Sequence, residues 1–72
     1  MARELVHVQL GRNGEAVGEP YTTAVDRNDP TDVRGLFRDA LTHARVDGDG
    51  NGYEIQVSRP EGERLFVYSA KN

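Results

Sequence analysis

The 72-residue chain predicts a small α+β domain, β-β-α-β-β, in which one helix packs on one face of a four-stranded, mostly antiparallel sheet. Three observations carry that prediction. Apolar and polar residues alternate toward both ends of the chain, the period of a half-buried strand. Between those regions, apolar residues recur at helical spacing behind Asp29-Pro30. Turn signals, Asn13-Gly14 and Pro60-Glu61-Gly62, fold each alternating region back on itself. One helix laid over one sheet is the simplest way to bury these stripes together.

In the first strand, Glu4 to Leu10, Val6, Val8 and Leu10 share one face and Leu5, His7 and Gln9 the other. Asn13-Gly14 suits a type I′ hairpin turn, whose two central residues both need positive φ, and Arg12 and Glu15 flank it as a cross-turn pair. The returning strand starts at Glu15-Ala16-Val17, breaks at Gly18-Glu19-Pro20 and resumes from Tyr21 to Val25. Pro20 cannot donate to a ladder, which puts a bulge or break there on an edge strand.

Asp29 is placed to cap the helix, Pro30 to open it, and Asp32 to complete an acidic first turn. Val33, Leu36, Phe37, Ala40, Leu41 and Ala44 form its apolar stripe; Gly48 is expected to end it, with Arg45 in its last turn. After a loop from Asp47 to Gly52, Tyr53, Ile55 and Val57 alternate with polar residues, and Leu65 to Ala70 form the last strand. Strand order stays open between arrangements that are fully antiparallel and one that sets the first and last strands side by side as a parallel pair.

Length and composition bound the function. The chain reads as a single domain, residues 1–72, with room for one core. Without cysteine there is no disulfide, thiolate zinc site or cysteine nucleophile. The apolar runs fall far short of the ~20 residues of a membrane helix. Met1-Ala2-Arg3-Glu4 leads into no secretory signal, so a cytoplasmic location with no membrane partner is expected. All but one of the basic residues are arginine, the usage of a GC-rich bacterial or phage genome. A net charge of −3 opposes non-specific nucleic-acid binding. His7 and His43 lie on different elements with no nucleophile in a recognisable setting and no phosphate loop, so no enzyme activity is expected.

The leading expectation is a non-catalytic protein-interaction module, an accessory factor or inhibitor, that uses an exposed sheet face or edge and pairs with a protein or with itself as a homodimer. Its basis is the last strand, where Leu65 and Val67 alternate with Phe66 and Tyr68, so that both faces are apolar although one helix covers only one. Leu5, His7, Leu65, Phe66 and Tyr68 are the candidate contact residues. The bland alternative is scattered surface apolars.

A rival reading is a nucleic-acid-associated regulator. Arg34, Arg38 and Arg45 gather on one flank of the helical wheel, opposite Asp32, Asp39 and His43. A weaker one is calcium binding at Asp47-Gly48-Asp49-Gly50-Asn51-Gly52, which matches the first half of an EF-hand loop, with Asp47, Asp49 and Asn51 as ligands. The second half does not match: Ser58 stands where a bidentate glutamate belongs, leaving Glu54, Glu15 or Glu19 to complete the set. The same residues suit a connection that needs positive φ at several places. No other cofactor is implied.

Overall fold

The computed structural model describes residues 3–69. Five strands and one helix follow in the order β1 (Glu4–Arg12), β2 (Glu15–Ala16), β3 (Tyr21–Val25), α1 (Pro30–His43), β4 (Tyr53–Ser58) and β5 (Arg64–Ser69). This is the expected α+β layout, with the second strand divided into β2 and β3. Both pair antiparallel with the same side of β1, so the sheet has four lanes: β2/β3, β1, β4, β5. Every neighbouring pair is antiparallel, which settles the strand order left open by the sequence. Ala70, expected to end the last strand, lies outside the described residues.

Asn13 (φ 54) and Gly14 (φ 82) make the tight turn, and Arg12 pairs with Glu15 across it. Instead of an ion pair with Glu15, the Arg12 guanidinium sits over the Tyr53 ring, 5.2 Å from its centroid. The break between β2 and β3 is held by Gln9, whose Nε2 donates to the carbonyls of Leu10 at 2.8 Å and Val17 at 3.3 Å. Gly18 (φ 69) passes close to the end of the helix there; a Cβ on it would lie 3.1 Å from the Ala44 Cβ.

The helix begins as its sequence requires. Asp29 Oδ1 accepts from Thr31 N at 3.0 Å and Pro30 follows at the first helical position. Asp32 straps the incoming turn as well: Oδ2 accepts from Asp26 N at 2.6 Å and Oδ1 from Arg3 Nη2 at 3.1 Å. The C-terminus corrects the sequence reading. The helix stops at His43, with Ala44 as cap and Arg45 beyond it at φ 60. Arg45 N bonds the Thr42 carbonyl at 3.1 Å and Val46 N the Leu41 carbonyl at 2.9 Å, the two bonds of a Schellman ending. Val46 packs back on the core to complete it, so Gly48 plays no part in stopping the helix.

Val6, Val8 and Leu10 of β1, Val25 of β3, and Ile55 and Val57 of β4 meet Leu36, Phe37, Ala40 and Leu41 of the helix in one core. Burying a side chain of this size contributes about 1.5–3 kcal/mol, and this shared core is what holds the helix on the sheet.

Candidate functional site

The register decides which side of β5 meets the helix. Tyr68 pairs with Ile55 and Phe66 with Val57, both fully buried under α1, so the two aromatics lie on the helix side. Tyr68 touches Phe37, ring centroids 5.4 Å apart. Between Val57 and Ser58 the pairing slips to Arg64, leaving Leu65 in a bulge, where it too packs partly on the core. Leu65, Phe66 and Tyr68 are therefore half-buried core neighbours and do not share a face with Leu5 and His7.

Leu5 and His7 do lie on the open face, but an apolar patch does not form around them. The exposed large apolar residues among those described are Leu5 (59%) and Val67 (48%), and they are far apart. Leu5 pairs with Ala24, whereas Val67 pairs with Gln56, which in turn faces Gln9. His7 stands beside Thr22 and Ser58, with Nδ1 3.5 Å from Thr22 Oγ1. A solvated polar face is normal for an antiparallel sheet covered on one side.

What remains unpartnered is backbone. β5 is an outer lane whose far side pairs with nothing among the described residues. From Leu65 to Tyr68 it carries four successive apolar residues, with neither proline nor lysine within the strand. Natural edge strands usually carry blocking devices; in β5 these are confined to its start, the charge of Arg64 and the bulge at Leu65. The opposite lane is the shorter β3, behind the break at Pro20.

The helix separates charge between these two edges. Asp32, Gly35 and Asp39 line a shallow groove of about 280 Å³ with Arg3, Thr23 and Val25, so this flank overhangs β3. Phe37 reaches Tyr68 on the other side, and Arg34 and Arg38 follow it around the helix on the β5 side. Both arginines are exposed and have no ion-pair partner among the described residues. Arg45 does not join them, because it has left the helix for a left-handed conformation; the expected stripe of three is a pair. Three other arginines are engaged: Arg3 with Asp32, Arg27 with Glu4, and Arg59 with Glu4 and Glu63.

His43 pairs with an aromatic ring and not with Asp39: it lies 4.4 Å from Tyr21, centroid to centroid. The Tyr21 hydroxyl is buried and has no hydrogen-bond partner among the described residues. Burial, and after it the Asp39 carboxylate, raise the phenol above its ordinary value of about 10.

The Asp47–Gly52 loop serves the fold. Asp49 Oδ1 accepts from Asn51 N at 3.0 Å, and Tyr53 N bonds the Gly50 carbonyl at 2.8 Å. Gly48, Gly50 and Gly52 have φ of 93, 79 and 90. Asp47 is exposed, and no group of three acidic or histidine side chains among the described residues could hold a metal ion. Glu15 and Glu54 line a separate cleft beside Gly11. No helix among the described residues is long and apolar enough to cross a membrane. No protein family, curated protein or solved structure matches this chain.

Proposed function

We propose that this chain is a non-catalytic protein-interaction module that binds by strand addition at β5. The observation that carries the reading is an outer strand, apolar from Leu65 to Tyr68 and without proline or lysine, that is the longest strand on either open edge of the sheet. An extended segment laid along it satisfies the free backbone groups, while side chains on alternate positions set specificity. The contact residues become Arg64 to Ser69, with Val67 the most accessible apolar one; Leu5 and His7 lie two lanes away. A chain without cysteine needs no oxidising compartment, and the same proposal assigns it to the cytoplasm.

The test is capture of partners from a native lysate after nuclease treatment, comparing the parent with Val67→Lys and Leu5→Lys. Strand addition expects a stoichiometric partner that is lost with Val67→Lys and kept with Leu5→Lys. A partner other than this chain itself that is kept by a folded Val67→Lys refutes it, since a native copy can still add at the free β3 edge. The unpaired Arg34 and Arg38 support a second reading, a nucleic-acid-associated regulator. Its mark is capture that nuclease abolishes and that weakens steeply with salt.

A further inference from the structure

The two outer strands differ in charge, and the helix makes the difference. Asp32 and Asp39 overhang β3, with Asp26 and Asp29 in the turn after it; the cations there are Arg3, paired with Asp32, and Arg27, paired with Glu4. Arg34 and Arg38 lie on the β5 side, and Arg64 opens that strand. Of the acids in the turn just before β5, Glu63 is held by Arg59.

Resting on the strand-addition reading, we propose that the partner is a second copy of this chain, added head to tail, with β5 of one copy pairing against β3 of the next. Charge selects this pairing. Two β5 edges would bring Arg34 and Arg38 toward their own copies, and two β3 edges would do the same for Asp39. Only unlike edges bring opposite charges together, and like-charge juxtaposition is what disfavours wrong partners.

Strand direction selects it as well. With lanes in the order β3, β1, β4, β5 and every neighbour antiparallel, β3 and β5 run in opposite directions. A copy shifted sideways across the sheet thus offers β3 antiparallel to β5 and keeps its helix on the same face. Side-chain parity agrees. Tyr21 and Thr23 pair with Val8 and Val6, which puts them on the helix side, as Phe66 and Tyr68 are. A slide of two residues, about 7 Å, sets Tyr68 beside Tyr21 and Phe66 beside Thr23 of the next copy. Exposed Val67 then stands beside Thr22 on the open face.

Four lanes at about 4.8 Å space successive helices by roughly 19 Å. The charged flanks therefore act across a gap, as a field that aligns the copies and is screened by salt, while backbone pairing holds them. Such a contact is heterologous, so it propagates as a winding row and does not stop at a dimer. It is also small beside a standard interface of about 1,600 Å², which makes the association weak and concentration-dependent.

Sedimentation velocity on the purified chain, from about 10 μM to about 1 mM and at low and high salt, reads it directly. The parent is expected to grow beyond a dimer with concentration and to dissociate as salt rises. Val67→Lys blocks β5 and Ala24→Lys blocks β3; both replace exposed side chains. Each variant alone should remain monomeric, and an equimolar mixture should form a one-to-one heterodimer and nothing larger.

Dimers of Ala24→Lys alone would show like edges pairing and overturn the head-to-tail arrangement. A parent that stays monomeric throughout overturns self-addition, while strand addition to a different chain is judged separately by the Val67-dependent capture. If a lysine variant fails to fold, the Arg34→Glu/Arg38→Glu double variant takes its place. It should weaken low-salt assembly about tenfold and lose the salt dependence; unchanged assembly overturns the proposal.

Discussion

Replacing Gly50 by alanine should be among the most damaging single-methyl changes in this protein. At φ 79, Gly50 has a backbone that an L side chain adopts only at a cost of about 1–2 kcal/mol. It is also buried, and its new Cβ would lie 2.5 Å from Leu41 Cδ1, 2.8 Å from Phe37 Cε2 and 2.9 Å from Phe37 Cζ. The phenyl ring cannot simply retreat, because it already lies against Tyr68. Overpacking of this kind adds about 1–3 kcal/mol, for a total of about 3 kcal/mol. A domain of this length has about 4–10 kcal/mol of stability in all, and with ~0.15 kcal/mol per kelvin of unfolding entropy the melting point should fall by about 20 °C. Gly52 has a similar φ of 90 but nothing within 4 Å of its Cβ, so Gly52→Ala should cost only the backbone contribution and about 7–13 °C. Thermal unfolding followed by circular dichroism, in chelator and in about 1 mM calcium, separates the two readings of this loop. In a calcium loop of the EF-hand type the sixth position, here Gly52, is the sensitive one. A Gly52→Ala loss equal to or larger than that of Gly50→Ala, or a calcium-dependent rise in melting point, would refute the structural account.

Two further changes test the helix end and the buried phenol. Arg45→Gly places the residue usual for a left-handed helix ending at φ 60 and should raise stability by about 1 kcal/mol, or about 7 °C, in the same assay; a lower melting point would mean that Arg45 makes a stabilising contact. Tyr21→Phe removes a buried hydroxyl without a partner and should be neutral or stabilising by up to about 1 kcal/mol at neutral pH. Because the folded-state pKa is raised, the parent's stability from this group is complete below the unfolded value of about 10 and is lost as pH rises through the folded value. Tyr21→Phe should flatten that alkaline decline, and identical profiles above pH ~10 would show that Tyr21 is not the group responsible.

The sequence made the elements legible wherever a local rule acts alone. Asn13-Gly14 fixed a turn and its register, Asp29-Pro30 the start of the helix, and Pro20 the strand break. It failed where the outcome depends on contacts distant in the chain. The helix stops at His43 because the Val46 side chain finds the core and two backbone bonds close the end, so a non-glycine residue is driven left-handed at Arg45. No residue type at that position signals it. The faces of β5 were equally hidden. Its two alternating sets are both apolar, and the Leu65 bulge breaks the count through which a turn would fix parity. Three of the five expected contact residues therefore border the core, and Val67, which alternation alone puts with Leu65, is the exposed one.

An apolar outer strand such as β5, free of proline and lysine, exposes a folded protein to uncontrolled aggregation, and nothing in the core requires Val67 to be apolar. Phe66 and Tyr68 are accounted for by the helix, but Val67 faces solvent, where a lysine or threonine would keep the strand and block the edge. Charge at this edge is instead displaced onto the helix flank and to the strand's first residue, as Arg34, Arg38 and Arg64. There it repels a second β5 without obstructing the backbone of β5 itself. A lysine within the strand would repel every partner, whereas arginines set beside it discriminate between acidic and basic ones. On the strand-addition proposal the edge is guarded against a second β5 and left open to an oppositely charged strand such as β3, which is the property that both the capture experiment and the mixed-variant experiment measure.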